Sequence, residues 1–364
     1  MPKGPGVGRK TMELVRSIYD RKSMELVRHV YERMRRTNRI YRAVAAVGVL
    51  AAVGFAGRLY YVNRRIATIR REAADVFYRL KAVELEVDRL RTDAPERQEY
   101  RDRRARLESV YAEWRGLLDQ SSNDPADVRA IRAAVARLGE APMLVSNGFI
   151  RDVRSRIAEW RRNGDFTSSV RVAADSGYPE QIESVLVANN LPPDLVWLAF
   201  QESRFSPRAV GPPTRFGIAK GMWQLLPATA RQYGLRVGPL VGEPRYDPRD
   251  QRHNPARATY AAVRYVSDLY TIDAQGSGLL VMASYNAGST LVLRLLRTLP
   301  ATPRDRNFWQ LLEHHRDEVP DETYGYVVGI VAAAALAAEP KAFGLAGPVA
   351  LGPGPRLAST QAPG

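Results

Sequence analysis

The chain has 364 residues, of which 45% are hydrophobic, so it can form about two domains with a real core. It contains no cysteine, and this excludes disulfides, thiolate metal sites, thiol catalysis and a lipid anchor on cysteine. The net charge of +15 would fit a nucleic-acid-binding protein, unless the charge lies outside the folded part. Because the histidines do not stand at metal-ligand spacing, we expect neither a metal nor a cofactor; they are His29, His253, His314 and His315.

Residues 1–42 form a basic N-terminal segment with twelve Lys/Arg against four Asp/Glu. Residues 177–343 carry nearly balanced charge, so no nucleic-acid partner is predicted. Within the basic segment, residues 12–21 (MELVRSIYDR) and 24–33 (MELVRHVYER) form a tandem repeat with seven identities. The repeat favours a basic amphipathic helix on an anionic membrane surface. Alternatively, translation starts at Met24 or Met34 and the repeat is incidental.

Residues 43–62 are almost entirely apolar, with Arg58 near the far end. About 20 residues at a rise of 1.5 Å each match a hydrocarbon core of roughly 30 Å. The basic flank precedes this run, so we expect a transmembrane helix with a cytoplasmic N-terminus and an exported main body. The competing interpretation is a signal peptide that is cleaved after residues 54–56.

Residues 63–94 carry a heptad pattern of apolar residues, which are Ile66, Ile69, Ala73, Val76, Leu80, Val83, Val87 and Leu90. This spacing predicts a parallel coiled coil that makes a homodimer through residues 66–90. The alternative is a single amphipathic helix that packs against its own domain. Residues 95–176 read as a helical spacer, and the Gly- and Pro-rich residues 344–364 as a disordered tail.

Residues 177–343 show helical patterns one after another and no convincing alternating strands, so the fold class is mainly α. Four short motifs lie along this segment. They are Gln201-Glu202-Ser203, Gly221-Met222-Trp223-Gln224, Tyr285-Asn286-Ala287-Gly288 and Glu322-Thr323-Tyr324-Gly325-Tyr326-Val327.

These motifs resemble, in the same order, those of the soluble-transglycosylase-type lytic transglycosylases, and are nearest to the membrane-bound D-type murein enzymes. The resemblance implies a lysozyme-like, all-helical catalytic domain at residues 177–343. Its substrate would be the peptidoglycan of a bacterial cell wall, reached from the cytoplasmic membrane on the periplasmic or wall side. The chain departs from the family pattern in a longer stretch at 209–221, in Lys220 beside the second motif, and in Ser284 in place of an alanine.

The resemblance further implies that one carboxyl, Glu202, acts as both acid and base, because the N-acetyl oxygen of the substrate replaces the usual second carboxylate. Attack by the C6 hydroxyl of the sugar then leaves a 1,6-anhydro end. By the same resemblance, Gln224 orients the N-acetyl group, and substrate contacts are made by Ser203, Tyr285, Asn286, Glu322 and Tyr326. Each of Ser203, Gln224 and Glu322 has a plainer alternative, which is to bond backbone or cap a helix end.

An acid with this role needs a raised pKa and hence an apolar environment. Trp197, Leu198, Phe200 and Phe205 flank Glu202 in the sequence and could supply it, although they could also serve only as core. Two other functions compete with the transglycosylase. A lysozyme-like hydrolase would need a group that positions water, and an inactive wall-binding scaffold would not need a proton donor.

Overall fold

The structure, a computed structural model, describes residues 21–89, 96–121, 124–273 and 277–345. The first copy of the tandem repeat and the predicted tail lie outside these residues, apart from Arg21 and residues 344–345. The described chain divides into two units, with Thr68 as the last residue of the first and Ile69 as the first residue of the second.

The first unit consists of most of a long helix, α1 (Arg21–Arg89), which continues into the second unit. Within α1, the stretch Arg28–Glu84 includes a window that is long and apolar enough to cross a membrane. The side chains of residues 43–62 are exposed throughout. Helicity and composition thus agree with a membrane-spanning segment, but whether it is retained or cleaved stays a prediction.

The second unit is mainly α, as the sequence predicts. After α1 its helices are α2 (Glu96–Ser121), α3 (Ala126–Arg137), α4 (Asn147–Asn163), α5 (Asp165–Ser176), α6 (Tyr178–Ala188), α7 (Trp197–Ser203), α8 (Pro227–Gln232), α9 (Pro255–Asp268), α10 (Gly278–Ala287), α11 (Ser289–Leu296), α12 (Phe308–His315) and α13 (Asp321–Ala338). Two short antiparallel strands, β1 (Val210–Thr214) and β2 (Gly217–Lys220), interrupt this order. The alternating pattern is too short, and too rich in proline and glycine, to predict the strands from the sequence.

Helix α13 is the central helix of the second unit. It is buried almost continuously from Tyr326 to Leu336 and packs against α3, α4, α7 and α10. Its alanines and glycines allow several helices to approach at once. Helices α3, α4 and α5 belong to the same hydrophobic core as the later helices. The segment predicted as a spacer therefore packs, from residue 126 onward, on the domain that follows it.

The β1–β2 hairpin is anchored at its base by buried cations. The Lys220 Nζ donates to the carbonyls of Leu240 and Arg245 at 2.7 and 2.9 Å. The buried Arg252 donates to the Ile218 carbonyl at 2.7 Å and pairs with Asp250 at 2.7 Å. The charge of Lys220, one of the departures from the family pattern, thus lies inside the protein and holds loops together.

The part of α1 in the second unit packs against its own chain. Ala73, Ala74, Phe77 and Tyr78 form a small apolar cluster with Ala141 and Met143. The seam positions Ala73, Leu80 and Val83 are all buried within the single chain. Ile66, Ile69 and Val76 are only partly buried, so the homodimer predicted through residues 66–90 stays a prediction. The alternative interpretation, one helix packed on its own domain, fits the structure.

A fully buried carboxylate, Glu140, ties this part of α1 to the domain. Its Oε1 accepts from the Tyr78 hydroxyl, and its Oε2 accepts from the Ser277 hydroxyl at 2.5 Å and from the Phe308 backbone N–H at 3.2 Å. Burial raises the pKa of Glu140, while these hydrogen bonds oppose that rise. Three helices therefore meet at one carboxylate, because a buried charge needs several donors to stay satisfied.

We predict that the double substitution Leu80→Glu, Val83→Glu lowers the melting temperature and leaves the sedimentation mass in detergent unchanged. Two charges forced into buried apolar positions should cost on the order of 3 kcal/mol or more. The control is Arg79→Lys, which keeps the positive charge at an exposed position of the same helix. If the wild type sediments as a dimer and the double variant as a monomer, the coiled-coil interpretation is supported instead.

Candidate active site

Glu202 lies in the last turn of α7 and is partly buried. Its Oε1 accepts a hydrogen bond of 2.5 Å from the hydroxyl of Tyr326, which lies on the central helix α13. Two residues that are 124 positions apart in sequence are thus joined by one short contact. The two helices that carry them determine where the carboxyl stands.

The pKa of Glu202 is raised to about 7, chiefly because burial disfavours the charged carboxylate. The hydrogen bond from Tyr326 acts in the opposite direction, since a phenol donates best to a carboxylate. The negative charge of Glu322, on an exposed first turn of α13, raises the pKa further. The carboxyl can therefore be either protonated or ionised near neutral pH.

The chain turns sharply after Glu202. Arg204 and Phe205 both have positive φ, at 54° and 61°, which non-glycine residues rarely adopt. The backbone N–H groups of Arg204 and Phe205 close the helix by bonding the carbonyls of Phe200 and Ala199. The Arg204 side chain bonds the carboxylate of Asp165 and lies 4.3 Å from the centre of the Phe200 ring. These contacts hold a strained turn next to Glu202.

The Gly221–Gln224 segment runs beside this turn. The Met222 carbonyl accepts from the Ser203 hydroxyl at 2.7 Å, and the Trp223 indole N–H donates to Thr259 at 3.1 Å. Gly221 has φ of 80°, and a Cβ there would lie 1.8 Å from the Arg252 carbonyl oxygen. Only glycine fits this position. Gln224 also has a positive φ, and its amide nitrogen donates to the Gly221 carbonyl at 2.7 Å.

The third motif is bonded to the second and the fourth. The Tyr285 hydroxyl donates to the Trp223 carbonyl at 2.7 Å, and burial raises the pKa of Tyr285 with the charge of Glu202 as a second cause. The side-chain amide oxygen of Asn286 accepts a hydrogen bond from the Thr323 hydroxyl at 2.7 Å. All four sequence motifs are therefore brought together around Glu202.

Helices α7 and α13 approach each other closely at Gly329. A Cβ at Gly329 would lie 2.6 Å from the side-chain oxygen of Gln201, the residue before Glu202. Gly329 stands one turn after Tyr326 on the same helix. The absence of a side chain at Gly329 thus permits the spacing at which Tyr326 reaches Glu202.

Several predicted residues have a structural contact that sequence reasoning left open. The Ser203 hydroxyl donates to the Met222 carbonyl and accepts from the Ser206 backbone N–H. These are the backbone contacts that the alternative interpretation of Ser203 predicts. Trp197 and Phe205 are buried in an aromatic cluster with Phe200, so they belong to the core beneath the site. Glu322 is exposed and influences Glu202 through its charge.

The described residues contain no group of three His, Cys, Asp or Glu side chains that could hold a metal ion. The site offers the carboxyl, the two phenols and the amides already described. Such a set can donate and accept one proton while binding polar groups of a substrate.

Comparison with known proteins agrees with this arrangement. Residues 182–307 match the Transglycosylase SLT domain family. The matched segment contains Glu202, Gln224, Tyr285 and Asn286, and it is similar to a lytic transglycosylase domain. The chain is also 29% identical over 193 residues to the membrane-bound lytic murein transglycosylase D of Escherichia coli strain K12, and equally to that of strain O6:H1. The alignment covers 53% of this chain but only 38% of each relative.

Three residues that position the site of this SLT domain were not predicted from the sequence. Thr323 holds Asn286, Gly329 permits the contact of two helices, and the Trp223 carbonyl receives Tyr285. Thr323 and Trp223 both lie inside recognised motifs, and this could have marked them. Nothing in the sequence marks Gly329 as different from the other small residues of α13.

We predict that Glu202→Gln stabilises the fold more at pH 8 than at pH 4.5. The folded pKa of Glu202 is about 7, above the ordinary 4.5, so the native state loses stability as pH rises from about 4.5 to 7. The neutral amide removes this loss, which is on the order of 1–3 kcal/mol after allowance for partial exposure. Melting temperatures measured across this pH range check the prediction. An equal effect of the substitution at both pH values would contradict the raised pKa.

Proposed function

We propose that the SLT domain is a lytic transglycosylase that cleaves the β-1,4 bond between N-acetylmuramic acid and N-acetylglucosamine in peptidoglycan. The observation that carries this proposal is the partly buried carboxyl of Glu202, which has a pKa near 7 and accepts a hydrogen bond from the Tyr326 phenol. The E. coli relatives are lytic murein transglycosylases by name, and this supports the substrate class. The chain spans well under half of that relative, so the activity is proposed on the site itself.

The reaction needs one proton to be given and then taken back. Glu202 in its acid form protonates the oxygen of the leaving N-acetylglucosamine while the N-acetyl oxygen of the muramic acid attacks C1. The carboxylate left on Glu202 then removes the proton from the C6 hydroxyl. The C6 oxygen displaces the N-acetyl oxygen at C1, and the product is a 1,6-anhydro ring. The protein ends in its starting protonation state, and no water is consumed.

The surroundings of Glu202 favour this route over hydrolysis. An inverting hydrolase holds a second carboxylate about 6.5–9.5 Å away to activate water, and a retaining one holds it at about 5–5.5 Å. Between Gly177 and Glu243 the other carboxylates are Glu180, Glu183 and Asp194, and they lie on or before the 3-10 turn that leads into α7. Glu322, which comes from α13, is exposed and affects Glu202 by its charge. Hydrolysis is the second candidate function, with Glu322 as its only evident base.

The remaining site residues are assigned to substrate and to positioning. The side-chain amides of Gln224 and Asn286 would bind the N-acetyl group and a neighbouring sugar hydroxyl. Tyr285 and Tyr326 would hold the carboxyl and line the cleft floor. Ser203 acts through the Met222 carbonyl, so it positions the second motif instead of touching substrate. An inactive scaffold would not need the short Tyr326–Glu202 bond.

We predict that Glu202→Gln abolishes turnover while the fold is retained. The amide can neither give nor recover the proton, so the rate should fall by about 10²–10⁴-fold or more. Wild-type activity should decline above pH 7, because the acid form of Glu202 is lost there. Mass spectrometry of muropeptides released from purified sacculi should show 1,6-anhydro ends. Reducing ends would establish hydrolysis, and full activity in Glu202→Gln would refute the assignment of the catalytic residue.

We further propose that the chain is a single-pass protein of the bacterial cytoplasmic membrane, with its N-terminus in the cytoplasm and the SLT domain in the periplasm or wall space. The apolar helix and the basic segment before it support this topology. A membrane anchor would hold the domain near newly made wall.

We predict that the full chain fractionates with membranes and stays there in high salt and at alkaline pH. A helix in lipid is held by burial of apolar surface, which salt does not screen. As a control, the chain with residues 43–62 deleted should be soluble. Release of a product that begins near residue 57 would instead establish a cleaved signal peptide.

A further inference from the structure

The β1–β2 hairpin carries an exposed pair of side chains at its turn, Arg215 and Phe216. Phe216 is 63% exposed, and the Arg215 guanidinium lies 4.6 Å from the centre of its ring. The recognised motifs do not include either residue. A large exposed aromatic beside an arginine is the composition that binding surfaces favour.

The hairpin is rigid, so its turn is held in a defined place. Pro212 and Pro213 fix φ along β1, and the pairing Thr214↔Gly217 closes the turn. The Thr214 hydroxyl donates to the Gly217 carbonyl at 2.7 Å and accepts from the Phe216 backbone N–H at 3.1 Å. A ligand that binds the turn therefore does not have to order the hairpin first.

The base of the hairpin borders the catalytic site. A Cβ on Gly211 would lie 3.0 Å from the side-chain oxygen of Gln224. The Gly221 backbone N–H donates to the Ala209 carbonyl at 2.8 Å, so the hairpin begins and ends beside the second motif. Arg215 and Phe216 therefore lie at the end of a hairpin whose base borders the site, where they can meet a substituent of a polymer that is bound at Glu202.

We propose that Arg215, held by Phe216, binds a carboxylate of the stem peptide on the glycan strand that occupies the catalytic site. This inference rests on the proposed function, because it assumes peptidoglycan as the substrate. Stem peptides carry free carboxylates, and a planar guanidinium binds carboxylates with two parallel hydrogen bonds. Phe216 positions the guanidinium plane and covers it from solvent on one face. The hairpin thus selects peptide-bearing strands over bare glycan.

The test compares the enzyme on peptide-bearing strands and on strands from which an amidase has removed the peptides. The ratio that is measured is kcat/KM on peptide-bearing strands divided by kcat/KM on peptide-free strands. For Arg215→Glu this ratio should fall by about tenfold, the effect expected for one well-placed charged contact. Phe216→Ala should lower the same ratio by a smaller factor, whereas Phe216→Tyr, which keeps the aromatic ring, should leave the ratio at the wild-type value. Arg171→Glu is the matched control, since Arg171 is an exposed arginine on α5 and loses the same charge.

Folding and the proposed function are checked separately. The substituted side chains are exposed, so melting temperatures should stay at the wild-type value. If the wild type released no 1,6-anhydro ends from either substrate, the proposed function would fail before the hairpin was tested. If the wild type is active and Arg215→Glu keeps the wild-type ratio, the hairpin inference is overturned. A fall of the ratio equal to that in Arg171→Glu would also overturn it, since general charge attraction would explain both.

Discussion

The hydrogen bond from Tyr326 to Glu202 is the contact on which the site depends. Burial alone would keep Glu202 protonated well above neutral pH, and several donors would keep it ionised. Burial and the nearby charge of Glu322 raise the pKa of Glu202, and the one hydrogen bond from Tyr326 lowers it. The result is a pKa of about 7. A group that must give a proton and then take one needs this intermediate value, because either extreme would block one of the two steps.

Two close backbone approaches accompany that bond. Gly329 lets α13 approach Gln201 on α7, and Gly221 lets the second motif pass over the Arg252 carbonyl. In both places neighbouring atoms already fill the space of a side chain, so close packing around the site requires glycine. The strained turn at Arg204 and Phe205 is held from the opposite side by an aromatic core. Rigid elements thus surround the carboxyl, as a preorganised site requires.

The residues of the candidate site could be located from the sequence because each motif is short and contiguous. Residues that act through tertiary contact, such as Gly329, carry no local signal. The heptads around Leu80 illustrate a different limit. An apolar stripe has the same period whether it faces a second chain or its own domain, so periodicity alone could not separate a dimer from the packing seen at Tyr78 and Glu140. The sequence alone likewise suggests that Lys220 is a surface charge, because its partners are backbone carbonyls that only the tertiary structure identifies.

Where the positive charges lie has a consequence for catalysis. A cation beside Glu202 would stabilise the carboxylate and lower its pKa, which would weaken it as an acid. The charge of Lys220 is instead buried among carbonyl oxygens, and Arg252 is paired with Asp250. The exposed charge of Arg215 stands at the far end of the hairpin from Gly211, the residue that borders Gln224. This separation would allow the chain to attract an anionic polymer while Glu202, the proposed acid, keeps a pKa near neutrality.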